Sequence, residues 1–187
     1  YWAEECIEPL TTLESEGVDV TVATPSGSPP VVDERSLDPE AAGGEERVAE
    51  FREVDETHPE LTDPEPVAAV DAASYDAVAG EESVALVVCH AVGILAFTRE
   101  ADGTPLVEGR SITGFPNAWE EDIVDADDVL PDGRKLPYWV EDEVVLAGAA
   151  FDAELDADTS VTVDGDLITA RGPGSSADAA ATLLDEL

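Results

Sequence analysis

Positive charge is scarce in this chain. It carries 8 lysines and arginines against 45 aspartates and glutamates, a formal net charge of -37, and its one lysine is Lys135. Proteins that bind nucleic acids or anionic membranes rely on clustered basic residues, so neither is an expected partner. Acidity this dense opposes compaction in dilute buffer, and molar salt screens it. The composition therefore indicates a cytoplasmic protein of a halophile, with most carboxylates on a solvated surface.

Cysteine and histidine are also few. Cys6 and Cys89 are the only cysteines, and His58 and His90 are the only histidines. These four residues do not fall at zinc-site spacings, and the acidic run 125–128 lacks the glycine and terminal glutamate of a calcium loop. No metal or other cofactor is therefore expected. In a cytosolic setting the two isolated cysteines are expected to stay free thiols.

Long hydrophobic runs are absent as well. No run reaches the 18 or more apolar residues of a membrane span, and no signal sequence is expected at the start of the chain. Even so, 43% of the residues are hydrophobic, which argues against the disorder that an acidic composition often signals. The 187 residues suit one domain, residues 1–187.

Predicted strands and helices alternate along the chain. The strands are at 18–23, 75–78, 84–88, 106–112, 161–163 and 167–170, and the helices at 3–16, 91–97, 138–146 and 177–187, with a helix or a turn at 117–125. Such alternation is typical of an α/β sandwich around a mostly parallel sheet.

The stretch 84–95 is the most informative part of the sequence. Residues 84–88 are wholly apolar, as in a buried parallel strand, and Cys89 follows them directly. A cysteine at a sharp strand-to-helix turn is expected to be exposed at the strand end, where the positive end of the helix favours the thiolate. Strand, nucleophile and helix make the elbow of α/β enzymes. The alternative is a small buried cysteine that closes a core strand.

Several segments, taken in order, resemble the ThiJ/PfpI superfamily of the class I glutamine-amidotransferase-like fold. Residues 1–9 are similar to its first helix, residues 18–30 to its second strand and loop, and Cys89-His90 to its nucleophile elbow. Residues 113–121, Thr-Gly-Phe-Pro-Asn-Ala-Trp-Glu-Glu, resemble the segment that carries a triad acid in the glyoxalase III and holding-chaperone branch. The tail 164–176 fits the last strand and helix. The resemblance implies a flavodoxin-like three-layer sandwich.

Two pieces of that fold have no counterpart in the sequence. In the family a core strand precedes the position of Tyr1, and a strand-loop-helix piece of about 30 residues follows the strand at 75–78. Here Val78 runs almost at once toward the next strand, although a parallel crossover needs about a dozen residues or more. We expect that the sequence joins segments of a longer chain, with the first strand and a piece near 78–80 left out. A shortened family member is the alternative.

The resemblance assigns Cys89 as the nucleophile and Glu5 as the acid beside it. Two neighbouring anions repel each other, so we predict that Glu5 is largely protonated near neutral pH and donates to the Cys89 sulfur. It is then placed to shuttle a proton during turnover. The alternative is that Glu5 is one more acidic surface residue.

The resemblance also gives His90 a role in a Cys-His-acid arrangement. Glu120 is the best match for the acid, and Glu121 is the near alternative. The other interpretation is that His90 only caps the elbow helix. The backbone N–H groups of His90 and Ala91 are the candidates for half of an oxyanion hole.

The resemblance implies a cofactor-free, glutathione-independent glyoxalase III-like enzyme that converts methylglyoxal into lactate, or a related deglycase, with a small-molecule aldehyde as substrate. Cys89 would form a hemithioacetal, and Glu5 or His90 would move the proton that isomerises it to a lactate thioester. Two alternatives stay open: a holding chaperone or redox sensor that acts through oxidation of Cys89, and an intracellular cysteine peptidase. A homodimer is expected from the family and from symmetry.

Overall fold

The computed structural model describes residues 1–71, 84–130, 133–153, 157 and 159–187. These residues divide into two compact units, Tyr1–Val84 with Ser176–Leu187, and Ala85–Ser175. The predicted strand at 75–78 and the abrupt connection after it lie outside the described residues. A single domain over residues 1–187 stays a prediction.

The first unit is built on the helix α1 (Ala3–Ser15). Ala3, Ile7 and Leu10 recur at helical spacing and form its buried face. The helix ends just before Gly17, whose positive φ of 87° suits glycine because a side chain would be strained there. The predicted first helix is therefore confirmed, and it is one residue shorter than expected.

Short elements surround α1. They are β1 (Ala23–Thr24), a 3-10 turn (Glu34–Leu37), α2 (Pro39–Ala42), α3 (Glu45–Thr57), α4 (Pro59–Thr62), β2 (Glu65–Pro66), a second 3-10 turn (Val67–Ala69) and, from the end of the chain, α7 (Ser176–Glu186). Helix α1 packs against α3 and α7. Leu37, Phe51 and Leu61 complete the core of this unit beside the buried face of α1.

The predicted strand at 18–23 is wrong over most of its length. Only β1 forms a ladder, a parallel pair with β2 in which Ala23 lies opposite Glu65. A residue becomes part of a strand only where a neighbouring strand supplies hydrogen bonds. Among the described residues β2 supplies two such positions, which an alternating sequence pattern cannot reveal.

The second unit contains a three-stranded sheet in the order β3 (Ala85–Val88), β7 (Leu167–Ala170) and β6 (Val161–Asp164). Strand β3 runs parallel to β7, with Val88 opposite Ala170, and β6 runs antiparallel to β7. All four residues of β7 are buried. The predicted strand at 84–88 and the predicted pair at 161–170 are confirmed.

Around this sheet lie the remaining elements of the second unit. They are an eight-residue 3-10 helix (Cys89–Ala96), here called the elbow helix, β4 (Ser111–Ile112), α5 (Asn117–Ile123), α6 (Val140–Leu146), β5 (Ala150–Phe151), which pairs in parallel with β4, and a 3-10 turn (Pro173–Ser175). The elbow helix packs against α6. Val92, Val107, Ile112, Val140 and Val144 are central to the core between them.

The predicted strand at 106–112 is wrong before Ser111. Turns replace it, because Glu108 donates its N–H to the carbonyl of Pro105 and Gly109 adopts a positive φ of 78°. The predicted helices at 138–146 and 177–187 are confirmed as α6 and α7, and the helical alternative at 117–125 as α5, with ends that differ by one or two residues. Within the described part of the chain, no helix combines the length and the apolar character of a membrane span.

Candidate active site

Cys89 lies at a strained strand-to-helix elbow. It follows β3 directly and opens the elbow helix, and its φ of 60° is left-handed, a conformation rare for a residue with a side chain. Strain of this kind persists where the surrounding structure holds the residue in place, and it is frequent at reactive positions. The sequence-based expectation of an exposed cysteine is wrong, because Cys89 is only 3% exposed and the His90 ring lies against its sulfur.

A chain of three side chains begins at that sulfur. The Sγ of Cys89 lies 3.2 Å from Nδ1 of His90, and Nε2 of His90 lies 3.0 Å from Oε1 of Glu120. Glu120 sits in the first turn of α5 and is fully buried, whereas Glu121 is exposed. The structure therefore brings together Cys89, His90 and Glu120, and the acid that contacts His90 is Glu120.

The chemistry of the three groups fixes the direction of their hydrogen bonds. An ionised carboxylate only accepts, so Nε2 of His90 carries the proton that bonds to Glu120. Nδ1 then has a free lone pair and accepts from the thiol of Cys89. This arrangement can take the proton from Cys89, and Glu120 stabilises the imidazolium that forms.

The second oxygen of Glu120 is buried without a hydrogen-bond partner among the described residues. A buried carboxylate that is poorly hydrogen-bonded is costly to keep. The hydrogen bond to His90 therefore offsets part of the cost of burying the Glu120 carboxylate, and it holds the imidazole in this orientation.

An aromatic ring holds the other side of the imidazole. The rings of His90 and Phe115 are stacked, with centroids 4.1 Å apart and planes 25° apart, and Trp119 meets Phe115 edge-on at 5.5 Å. The side chain of His90 is 45% exposed. Because burial alone does not fix it, Phe115 and Glu120 set its position. Sequence reasoning missed both aromatic residues, although they lie within the segment 113–121 that carries the acid.

Two glycines allow the elbow helix to pack closely against neighbouring segments. A Cβ at Gly114 would lie 2.9 Å from Cγ1 of Val92, and a Cβ at Gly93 would lie 2.5 Å from Cε2 of Tyr138. Distances this short are not tolerated without movement of the neighbour. The elbow helix, which carries Cys89 and His90, therefore depends on the missing side chains of both glycines.

The remaining predicted site residues stay predictions. Glu5 is half-buried in α1 of the first unit, and its role at the nucleophile is a proposal taken up below. The backbone of His90 and Ala91 forms the first turn of the elbow helix, and their part in an oxyanion hole is likewise a proposal. No cluster of three or more side chains able to hold a metal ion occurs in the part of the chain that the structure describes.

The second cysteine has a different environment. Cys6 is half-buried in α1, and its burial, with a smaller effect from Asp55, raises the pKa of the thiol to about 11. A thiol with so high a pKa is a poor nucleophile at neutral pH. Cys6 is therefore a weaker candidate for the nucleophile than Cys89.

Known proteins are similar to this chain in sequence and in fold. No protein-family model matches the chain. It is similar to the glutathione-independent glyoxalase HSP31 of Saccharomyces cerevisiae, with 29% identity over 212 residues that cover 98% of this chain and 87% of the relative. Its structure is similar to glyoxalase III from Candida albicans (TM-score 0.79, 22% identity, 98% of this chain and 87% of that one) and to a ThiJ/PfpI domain protein from Brachyspira murdochii (TM-score 0.57, 18% identity, 100% and 91%). The solved structures show that the chain has the fold of these proteins.

The predicted α/β flavodoxin-like fold class is confirmed. The region aligned with the yeast relative, 212 residues, is longer than the 187 residues of this chain. The relative therefore has residues at places where this chain has none. The position of those gaps stays a prediction.

Proposed function

We propose that the protein is a glutathione-independent glyoxalase that converts methylglyoxal into lactate with Cys89 as its nucleophile. The observation that carries the proposal is the hydrogen-bonded chain from Cys89 through His90 to the buried Glu120 at the strained elbow. It is supported by the 29% identity to a yeast protein named as a glutathione-independent glyoxalase. A small α-oxoaldehyde supplies the electrophilic carbon that such a thiol attacks.

The first step forms a bond between sulfur and carbon. His90 takes the thiol proton at Nδ1, and the sulfur of Cys89 attacks the aldehyde carbon of methylglyoxal. His90 then returns the proton to the aldehyde oxygen, which gives a hemithioacetal. Glu120 holds the imidazole in place and stabilises its charged form between the two transfers. No external thiol is required, because the protein supplies the sulfur.

The second step is an internal redox exchange. A base, His90 or Glu5, removes the proton from the former aldehyde carbon to give an enediol, and a proton returns to the neighbouring carbon. The first carbon is thereby oxidised to a thioester and the second is reduced to an alcohol. Water then cleaves the lactate thioester and restores the thiol. The reaction adds one water overall and uses no outside oxidant or reductant.

Two backbone groups complete the proposed site. The N–H groups of His90 and Ala91 lie in the first turn of the elbow helix, where helix N–H groups have fewer partners, and we assign them to the developing oxyanion. Glu5 is assigned a protonated carboxyl that donates to the Cys89 sulfur when the thiolate is present. Its two roles, donor and proton shuttle, call for the neutral form at rest.

The setting of the enzyme is part of the proposal. The net charge of -37 suits a halophile and a salt-rich cytoplasm, and the two free cysteines suit a reducing compartment. We propose a homodimer, the commonest assembly of soluble proteins, which light scattering in molar salt checks directly. Repair of early glycation adducts is a further expected activity of the same thiol, in a stress-related role.

Lactate formation from methylglyoxal, without glutathione and in multimolar salt, tests the proposal. We expect turnover by the wild type, none by Cys89→Ala, and a loss of about 100-fold in Glu120→Gln because proton transfer through His90 is no longer supported. Cys6→Ala is the matched control and should keep full activity. Glu5→Gln should lose activity if Glu5 moves the proton. A folded wild-type protein that forms no lactate would refute the assignment.

A further inference from the structure

Arg171 is an unusual charge to find inside the second unit. It follows β7 directly and is fully buried, although arginine is seldom buried without paired charges or hydrogen bonds. Its Nη1 donates to the carbonyl of Ala157 at 2.9 Å. Its Nε and Nη2 are buried and have no hydrogen-bond partner among the residues that the structure describes. Among the described residues, that one side-chain hydrogen bond is therefore all that compensates the burial of the guanidinium.

The guanidinium of Arg171 lies on an aromatic face instead. Its central carbon is 5.5 Å from the centroid of the Trp119 ring, within the range of a cation–π contact. The next residue, Gly172, also makes room for this ring, since a Cβ there would lie 3.2 Å from Cζ3 of Trp119. Residues 171 and 172 therefore both contact or border the Trp119 ring and set its position.

From Trp119 the contacts lead to the catalytic histidine. Trp119 meets Phe115 edge-on, with planes 74° apart, and Phe115 stacks on His90. The four side chains form a continuous row from a buried cation to the half-exposed imidazole. A shift of Trp119 would let Phe115 turn, and His90 would then lose the surface that holds it against both the sulfur of Cys89 and Glu120.

Strand register connects the two ends of this row. Val88 and Ala170 are paired in the parallel ladder of β3 and β7, and they directly precede Cys89 and Arg171. The nucleophile and the buried cation therefore follow neighbouring positions at the same edge of the sheet. The ladder between β3 and β7 therefore positions both Cys89 and Arg171, which contacts Trp119.

We propose that Arg171 is a positioning residue for His90 and acts through Trp119 and Phe115. The inference rests on the proposed function, because positioning matters only if His90 transfers protons there. Arg171 makes no contact with His90 itself. It fixes the Trp119 ring from a buried position, and the contacts of Trp119 with Phe115 and of Phe115 with His90 hold the imidazole in turn.

The experiment uses the fact that the chain has only two histidines. Ring proton resonances of His90 should be shifted by the stacked Phe115, and those of His58, which lies in the other unit, serve as an internal reference. The variants are Arg171→Met, Trp119→Leu and their combination. Arg110→Met is the matched control, because Arg110 pairs with Asp166 and has no place in the aromatic row.

In Arg171→Met we expect the His90 resonances to move toward those of free histidine while His58 is unchanged. The kcat for lactate should fall by about 10- to 100-fold, the range of a small displacement of a catalytic group, with KM changed less than about twofold. Trp119→Leu should give the same signature, and Arg171→Met should add nothing in that background. Arg110→Met should leave the His90 signals as they are.

Two results would overturn the proposal: unchanged His90 resonances in a folded Arg171→Met variant, or an equally large effect of that substitution in the Trp119→Leu background. If Arg171→Met does not fold, Gly172→Ala replaces it. That variant keeps the charge and displaces Trp119, so it must give the same shift of His90 or the proposal is wrong. The resonances need no turnover. A wild type without glyoxalase activity would therefore refute the proposed function and still leave the positioning measurable.

Discussion

Gly114→Ala should damage the elbow without touching any reacting group. The new Cβ would lie 2.9 Å from Cγ1 of Val92 and 3.0 Å from its Cβ, and Val92 is fully buried in the elbow helix. One of the two segments must therefore move. Overpacking of this kind costs about 1–3 kcal/mol, which for a chain of this size corresponds to a melting temperature about 2–12 °C lower. The kcat should fall too, because the elbow helix carries Cys89 and His90.

A double-mutant cycle tests the cause. Val92→Ala alone removes buried methyl groups and should cost about 2–3 kcal/mol, but it also removes the atoms that Gly114→Ala meets. The loss in free energy of unfolding of the double variant should therefore be about 1–2 kcal/mol smaller than the sum of the two single losses. Urea denaturation at constant molar salt gives the free energy of unfolding of the wild type, the two single variants and the double variant.

A second glycine supplies the control. Gly93→Ala creates its contact with Tyr138, at 2.5 Å, and not with Val92. Val92→Ala should therefore rescue Gly114→Ala and not Gly93→Ala. The reasoning fails if Gly114→Ala unfolds at the wild-type urea concentration, or if its effect is strictly additive with that of Val92→Ala.

Two further predictions concern the cysteines. Because the φ of Cys89 is 60°, Cys89→Gly should be more stable than Cys89→Ala by about 1 kcal/mol although both are inactive, and equal urea midpoints for the two would contradict the strained elbow. The thiol of Cys6, whose pKa burial raises to about 11, is protonated at neutral pH, so its alkylation by iodoacetamide in a Cys89→Ala background should rise about tenfold per pH unit up to roughly pH 11. A plateau near pH 9 would show an ordinary thiol.

The elbow could be predicted because its signal is local. An apolar run that stops at a cysteine specifies a buried strand and its end, and the structure has β3 end at Val88 with Cys89 next. The helical stop at Gly17 was predictable for the same reason, since one residue type suits that backbone. By contrast, the extent of β1 and β4 depends on which partner strands lie beside them. Alternation in a sequence does not contain that information.

The site was predictable as a set of residue types and less so as a geometry. Glu120 and Glu121 are equivalent in the sequence, and only the packing of α5 decides that the first is buried against His90 while the second faces solvent. Phe115 and Trp119 carried a signal, since both lie in the segment that resembles the family. Arg171 carried none toward this role, because its contact with Trp119 joins residues far apart in the chain.

The full burial of Glu120 separates this carboxylate from the exposed ones. Exposed acids share their field with dissolved ions, so the repulsion among them changes with every change of ionic strength. Glu120 has no exposed surface and bonds to His90 at 3.0 Å, so ions of the medium cannot come between them. The acidic surface and the contact of Glu120 with His90 therefore differ in their response to salt, because only one partner of that contact, the half-exposed His90, reaches the solvent. The number of surface acids can therefore change with little effect on the contact between Glu120 and His90.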